Sequence, residues 1–287
     1  MKFTVIGGDM RQAKLAELLA EDGHTVSTFA LDKLRLDGRV SQSPTARESV
    51  SGAECVVLPL PVTTREGILN APLSSGLHTT REILSVLGRD QLICGGRLDE
   101  NTRELTGSMG LTVADYYQRE ELAVLNADIT AEGAIQLIME ETPITVSGAR
   151  ILVIGYGRIG RLLSAKLRAL GADVTASARR WRDLAWIQSA GLGSVATEQI
   201  DALLPCFDVV VNTVPAMILG EDRLRLLKPG CLCLDLASRP GGVDFSAAAR
   251  LGVKAVWALS LPGEAAPVTS GAAIRDTIYH IIREAGC

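Results

Sequence analysis

Ile151-Leu152-Val153-Ile154-Gly155-Tyr156-Gly157-Arg158-Ile159-Gly160-Arg161 is the stretch on which the reading of the chain turns. Four branched apolar residues run into Gly-x-Gly-x-x-Gly, and Ile159, Leu162, Leu163, Leu167 and Leu170 then recur at helical spacing. A strand, a tight turn and a helix in that order put main-chain amides and the positive end of the helix dipole where a pyrophosphate can sit. Gly155 permits the turn, Gly157 lets backbone approach the phosphates, and Gly160 lets helix pack closely on strand. Gly155, Tyr156, Gly157, Arg158, Ile159 and Gly160 are therefore the first cofactor candidates. The alternative is a βα turn that holds no nucleotide; the matching flanks weigh against it.

Outward from that turn, strand-like runs at residues 172–176, 194–196, 208–213, 231–236 and 253–257 alternate with helical patterns at 181–190, 198–204, 221–227 and 244–251. With the strand before Gly155 they make six, the number of a complete doubly wound dinucleotide fold. Upstream, a strand over 2–7 enters Gly7-Gly8-Asp9, a helix covers 9–21, and a strand follows at 24–29. Asp9 stands where phosphate would need room, and its charge would repel one. Followed by Gln12, it fits a helix N-cap with a capping box, and a substrate-facing role is the other reading. Residues 32–43 look turn-like, a short helix covers 45–51, and a buried strand at 54–58 ends in Pro59–Thr64. A mobile loop is expected over 70–78, a helix over 79–87 and a strand over 91–94 ending in Gly95-Gly96-Arg97. The pattern is helical over 115–141 with a break near 126–130, and a last helix spans 267–284 and returns to the first domain. The fold class is thus α/β, two Rossmann-like domains with doubly wound parallel sheets joined by long helices. Residues 1–126 plus 268–287 form a substrate-side domain, and 127–267 the cofactor-binding domain.

Composition agrees with this class and excludes others. Of 287 residues 47% are hydrophobic, yet only four Phe, four Tyr and three Trp are present, so the core is aliphatic, as parallel sheets covered by helices require. A formal charge of −4 argues against nucleic acid or a membrane surface as partner. The chain opens as a strand rather than a signal peptide, and no uninterrupted apolar run reaches membrane-spanning length. Six cysteines at 55, 94, 206, 231, 233 and 287 lack paired Cys-x-x-Cys spacing, so no metal site is expected and a reduced, cytoplasmic protein is.

The acidic residue that grips the ribose of NAD belongs about 20 residues past the first glycine. Here the sequence reads Thr175-Ala176-Ser177-Ala178-Arg179-Arg180, with a hydroxyl and two guanidiniums and no acid. Ser177, Arg179 and Arg180 suit a 2′-phosphate, which favours NADP and leaves NAD possible. Thr213, Val214, Pro215, Asp235 and Ser238 end later strands beside the expected nicotinamide; Asp235 either caps a turn or contacts ligand. Arg239 sits in a loop fixed by Pro and Gly, either as a carboxylate clamp or merely exposed. His24 reads as structural and His280 lies on the last helix; Asp9 and His78 are the candidates for acid/base work, and His78 is more often a helix-entry residue.

Several stretches together resemble the family of dipicolinate synthase A-subunits over nearly the whole length. They are residues 5–12 (VIGGDMRQ), 126–133 (NADITAEG), the glycine turn, 235–245 (DLASRPGGVDF) and 261–267 (LPGEAAP). One departure is Arg239, where Lys is as common; the charge is kept. The resemblance implies an N-terminal α/β lobe on an NADP-type Rossmann domain, as in alanine and 2-hydroxyacid dehydrogenases. It implies oxidation of 4-hydroxy-tetrahydrodipicolinate, or its dehydrated dihydrodipicolinate form, to dipicolinate for spores in the mother cell. As partner it implies the flavoprotein-like B-subunit of dipicolinate synthase. A homo-oligomer is expected as well. Two substrate carboxylates then need fixed cations, and Arg11, Arg97 and Arg239, with Gln12 beside the first, are the substrate-binding candidates. Another amino- or hydroxy-acid dehydrogenase, or a non-catalytic dinucleotide-binding component of a complex, are the rival readings.

Overall fold

Parallel strands need crossover helices, and both halves of the chain supply them. The computed structural model describes residues 1–65 and 67–286 and separates into two compact units, Met1–Asn126 with Ala266–Cys287, and Ala127–Ala265. The fold is α/β with two doubly wound parallel sheets.

In the first unit the order is β1 (Lys2–Ile6), α1 (Met10–Glu21), β2 (Thr25–Phe29), β3 (Val40–Gln42), α2 (Ala46–Ser49) and β4 (Cys55–Val57). Then come β5 (Thr63–Arg65), β6 (Ile68–Leu69), α3 (Thr80–Leu84), β7 (Leu92–Gly95), α4 (Glu100–Met109) and β8 (Val113–Asp115). The sheet order is β3-β2-β1-β4-β7-β8, all parallel, so the strand order reverses between β1 and β4. Phe3 and Val5 face one layer with Leu15 and Leu19 of α1, while Ile6, Val56 and Leu58 face the other with Ile83 and Ile93. Each fully buried aliphatic or Phe side chain contributes about 1.5–3 kcal/mol, which holds a sheet whose strands are as short as three residues.

The helix α5 (Glu120–Glu141) follows, and the division between the units falls within it. No break occurs at 126–130, contrary to expectation. Ala127, Ala131, Ala134 and Ile138 form a buried face, and that packing outweighs the fraction of a kcal/mol by which Asn and Thr disfavour a helix. By length and apolarity α5 could cross a membrane, but half of its most apolar window is buried inside the protein, as for a core helix.

The second unit runs β9 (Arg150–Ile154), α6 (Arg158–Ala169), β10 (Asp173–Ala178), α7 (Trp181–Ser189), β11 (Gly193–Ala196) and β12 (Val209–Asn212). It ends with α8 (Glu221–Leu224), β13 (Leu232–Asp235), α9 (Phe245–Leu251), β14 (Lys254–Trp257) and α10 (Leu261–Ala265). Its order, β11-β10-β9-β12-β13-β14, is again parallel, with the reversal between β9 and β12. Where a helix was expected over 198–204, two 3-10 helices stand instead, Thr197–Ala202 and Leu204–Cys206, the second carrying Pro205. The last helix, α11 (Pro267–Ala285), belongs to the first unit and lies against α1, with Gly271 so close that a methyl there would sit 2.9 Å from the Leu15 nitrogen.

Candidate functional site

In the second unit, β9 delivers the chain to the reversal point at Gly155, whose φ of +98° a side chain would rarely adopt. A methyl at Gly155 would strike the Thr213 hydroxyl and lie 2.8 Å from Val214, and one at Gly160 would strike the Gly155 carbonyl. A methyl at Gly157 would meet nothing within 4 Å. Gly157 is the N-cap of α6, no side chain caps that helix, and its first turn carries no acid. The N-terminal turn of this 12-residue helix thus opens on space an anion could fill. This is the arrangement a pyrophosphate fits.

The flanking candidates divide sharply. Ile159 packs into the core, Arg158 is exposed, and Tyr156 is half-buried with its phenol pushed up by burial. Arg161 lies 5.3 Å over the Tyr156 ring and donates to the Tyr156 carbonyl at 3.2 Å, so the turn is braced from below. Arg179 and Arg180 are exposed at the end of β10. Ser177 is not: it is 0% exposed, and its hydroxyl pairs with Thr197 at 3.3 Å. Strand alternation turns it into the sheet face, away from the exposed Arg179 and Arg180.

Asp235 takes the first of its two readings, the cap of a turn. It is 0% exposed and accepts from Asn212 Nδ2 (2.8 Å), Ala237 N (3.0 Å) and Gly242 N (2.7 Å). It caps the loop after β13. Asn212, which sequence reading did not single out, is the other half of this device. Its amide also donates to Val214 O at 2.9 Å, and its oxygen accepts from Val214 N at 3.1 Å. A buried polar residue ending an apolar strand was the available signal. Thr213 donates to the Ile154 carbonyl at 2.9 Å and so braces the glycine turn, while Pro215 and Ser238 are exposed. Arg239 is exposed with its guanidinium 5.6 Å over the Trp257 ring.

In the first unit, Asp9 caps α1 with a full capping box, accepting from Arg11 N while Gln12 Oε1 accepts from Asp9 N. Arg11 is only 6% exposed; its guanidinium donates to both Asp9 oxygens and, at 2.7 Å, to the Leu60 carbonyl. Burial opposes its charge, and the bonds to Asp9 more than offset that, so its pKa is raised. Gln12 is fully buried and donates to Tyr116 Oη at 3.4 Å, and Tyr116 donates to the Leu58 carbonyl at 2.9 Å. Arg11 and Gln12 therefore tie the loop after β1 to the loop after β4. In that role they are braces, and withdrawing the paired, buried Arg11 guanidinium toward a ligand would be costly.

His78 belongs to a loop clasp: its Nε2 lies 3.0 Å from Ser74 Oγ, and its ring meets Phe29 edge-on at 4.8 Å. Ser74 donates to Asp32 at 2.8 Å, the Ser75 amide donates to Asp32 at 2.9 Å, and Gly8 N donates to the Asn70 carbonyl at 2.7 Å. The stretch 70–78, expected to be mobile, is stitched across the ends of β1 and β2. Arg97 is exposed at the end of β7, with no hydrogen bond or ion pair from its guanidinium among the described residues. No cluster of potential metal ligands occurs among the described residues. Burial pushes the Cys231 thiol up to about 12, so it is an inert part of the core; Cys287 lies outside the described residues.

The family model for the N-terminal domain of the dipicolinate synthase A-subunit matches residues 2–117. That for the NAD-binding domain of D-isomer-specific 2-hydroxyacid dehydrogenases matches residues 123–248. The dipicolinate synthase A-subunit of Bacillus subtilis is 30% identical, over 99% of this chain and 96% of that protein. The chain belongs to the dipicolinate synthase A-subunit family. The crystal structure of the Bacillus subtilis protein superposes with a TM-score of 0.85, covering 99% of this chain and 96% of that one. The corresponding structure from Bacillus halodurans gives 0.87 at 27% identity, covering 98% and 97%. A transhydrogenase from Sinorhizobium meliloti, 18% identical at a TM-score of 0.70 over 97% and 93%, shares the fold alone. Within this member of the family, the second unit is a nicotinamide-dinucleotide-binding domain of dehydrogenase type.

Proposed function

We propose that the chain is the dehydrogenase component that oxidises 4-hydroxy-tetrahydrodipicolinate, or its dehydrated dihydrodipicolinate form, to dipicolinate, with NADP as the acceptor. The observation that carries the reading is the open, uncapped turn at Gly157 in a chain that matches a dipicolinate synthase A-subunit along its whole length. Loss of the 4-hydroxyl as water, followed by loss of a hydride and a proton, leaves an aromatic pyridine ring. The nicotinamide, when bound, supplies the hydride acceptor.

The residues divide the remaining work. The Gly157 turn and the amides of α6 hold the pyrophosphate, with Thr213, Asn212 and Asp235 keeping the surrounding loops in place. Arg179 and Arg180, where NAD-binding folds carry an acid, take the 2′-phosphate. Arg97 and Arg239 are exposed guanidiniums, each able to take a carboxylate. The reading includes a flavoprotein-like B-subunit, self-association and a cytoplasmic place in a sporulating cell. Tight dinucleotide binding without turnover would favour the rival, a non-catalytic component.

Purified protein, alone and with the B-subunit, should reduce NADP when given the product of the condensing enzyme that makes the hydroxylated ring. No absorbance gain at the reduced-nicotinamide band under either condition would sink the proposal. In the Arg179→Ala/Arg180→Ala double variant, affinity for NADP should fall about tenfold or more while that for NAD is unchanged.

A further inference from the structure

Arg97 has an unusual backbone. Its φ is +55°, in the left-handed region that an L-residue enters at a cost of about 1 kcal/mol or more and glycine enters without one. Two glycines precede it, and neither has room for a side chain. A methyl at Gly95 would lie 3.1 Å from both Val62 and Leu98, and one at Gly96 would lie 2.7 Å from the Tyr116 ring. The turn after β7 is thus pressed onto the protein, and residue 97 is the first from which a long side chain can leave it. Arginine stands there, where glycine would be less strained.

The strained turn is held by one carboxylate. Asp115 Oδ1 accepts from Arg97 N (2.9 Å) and Tyr117 N (3.1 Å), and Oδ2 accepts from Leu98 N (3.1 Å) and Arg103 Nη2 (2.8 Å). Its side chain is 5% exposed. Four donors fill the acceptor sites of a carboxylate, so Asp115 fixes the Arg97 backbone yet has nothing left for the Arg97 guanidinium. The turn is also stitched to the loop after β4, beside the strand-order reversal. Gly96 N donates to the Pro59 carbonyl and Val62 N to the Gly96 carbonyl, both at 3.0 Å, and Thr63 bonds Asp99.

We infer that Asp115 is a positioning residue, which locks the left-handed turn at Arg97 so that its side chain leaves the turn from one fixed backbone geometry and offers its guanidinium to a planar carboxylate. The inference rests on the function proposed above and adds to it the means by which one carboxylate is held. A backbone held in one geometry loses less entropy on binding than a mobile one. Ala30 and Ser260 also have positive φ, but of the three only Arg97 carries a group that can pair with a carboxylate.

The test uses the full chain with four variants: Arg97→Gly, Arg97→Lys, Asp115→Asn and the Arg97→Gly/Asp115→Asn pair. Binding of pyridine-2,6-dicarboxylate is measured by calorimetry, alongside substrate KM, the NADP dissociation constant and the melting temperature. Arg97→Gly should weaken dicarboxylate binding about tenfold or more without lowering the melting temperature, since the strain is relieved. Arg97→Lys should recover only part of the binding. Asp115→Asn should raise KM and lower the melting temperature with NADP affinity unchanged. In the Arg97→Gly background it should still lower the melting temperature but leave dicarboxylate binding where Arg97→Gly put it. A binding loss from Asp115→Asn that persists in that background, or binding unaffected by Arg97→Gly, overturns the inference. Wild type that binds no dicarboxylate and turns over no substrate overturns the function beneath it, a result told apart by the wild-type titration alone.

Discussion

The two units open with the same strand, turn and helix, and their sheets have the same strand order, yet different atoms finish their first turns. At Gly157 the space is open, the helix N-terminus is uncapped and no acid stands in its first turn. At Gly7-Gly8-Asp9 the helix amides are taken by the Asp9 side chain, Gly8 N is bonded to the Asn70 carbonyl, and Asp9 presents a carboxylate paired with Arg11. Asp32, just beyond β2 near where a ribose-gripping acid would stand, is occupied by Ser74 and Ser75. A Rossmann-like unit therefore acquires or loses its ligand through the atoms that finish its first turn, while the sheet beneath is unchanged.

Exchanging those atoms should break the contrast. Gly157→Asp copies the carboxylate of the first turn into the second, where nothing within 4 Å opposes it and Asp is a good N-cap. Dinucleotide affinity should fall about a hundredfold, roughly 3 kcal/mol, with the melting temperature kept or raised. Fluorescence titration measures this, and unchanged affinity would move the cofactor elsewhere. Arg11→Ala should have a smaller effect, confined to the first unit. It leaves the Asp9 carboxylate and the Leu60 carbonyl without their partner, at a cost of about 2–3 kcal/mol in a denaturant titration, with dinucleotide affinity intact. No loss of stability would mean that Arg11 is not a brace and is available for substrate.

The smallest effect concerns Asp32. The Ser75 hydroxyl and amide, then Ser74, hold its carboxyl well below the usual range. A lowered folded-state pKa stabilises the folded form above the ordinary carboxylate pKa of about 4, and that contribution is lost as pH falls below it. Because Asp32 is exposed, the contribution is about 1 kcal/mol or less. In Asp32→Asn, stability between neutral pH and pH 3 should fall less steeply than in wild type; identical slopes would show that the clasp across β1 and β2 does not depend on this charge.

The legible parts were those with local signals. Apolar runs such as Ile151–Ile154 are buried on both faces and read as parallel strands without alternation, and the Asp9–Gln12 capping box is a four-residue pattern. What went unread was short or set from afar. The strands β3, β5, β6 and β8 have two or three residues, too few for any period, and the helices α4 and α10 were also passed over. Residue type made Ser177, Arg11 and Gln12 ligand candidates and left Asp235 open between a turn cap and a ligand contact; that all four are buried is decided by distant neighbours.

Residues close together in the chain dictate the alternation of strand and helix, the one glycine turn able to accept a pyrophosphate, and the family. Each of these depends on patterns within a turn or two, so the amino-acid sequence alone carries them. Tertiary contacts settle which polar groups remain for a ligand. Arg11 finds the Leu60 carbonyl 49 residues away, Gln12 finds Tyr116 at 104, and Arg97 is held by Asp115 at 18. A buried polar group must be bonded, and only in the folded chain is it fixed which remote atom bonds it and which guanidinium is left facing water.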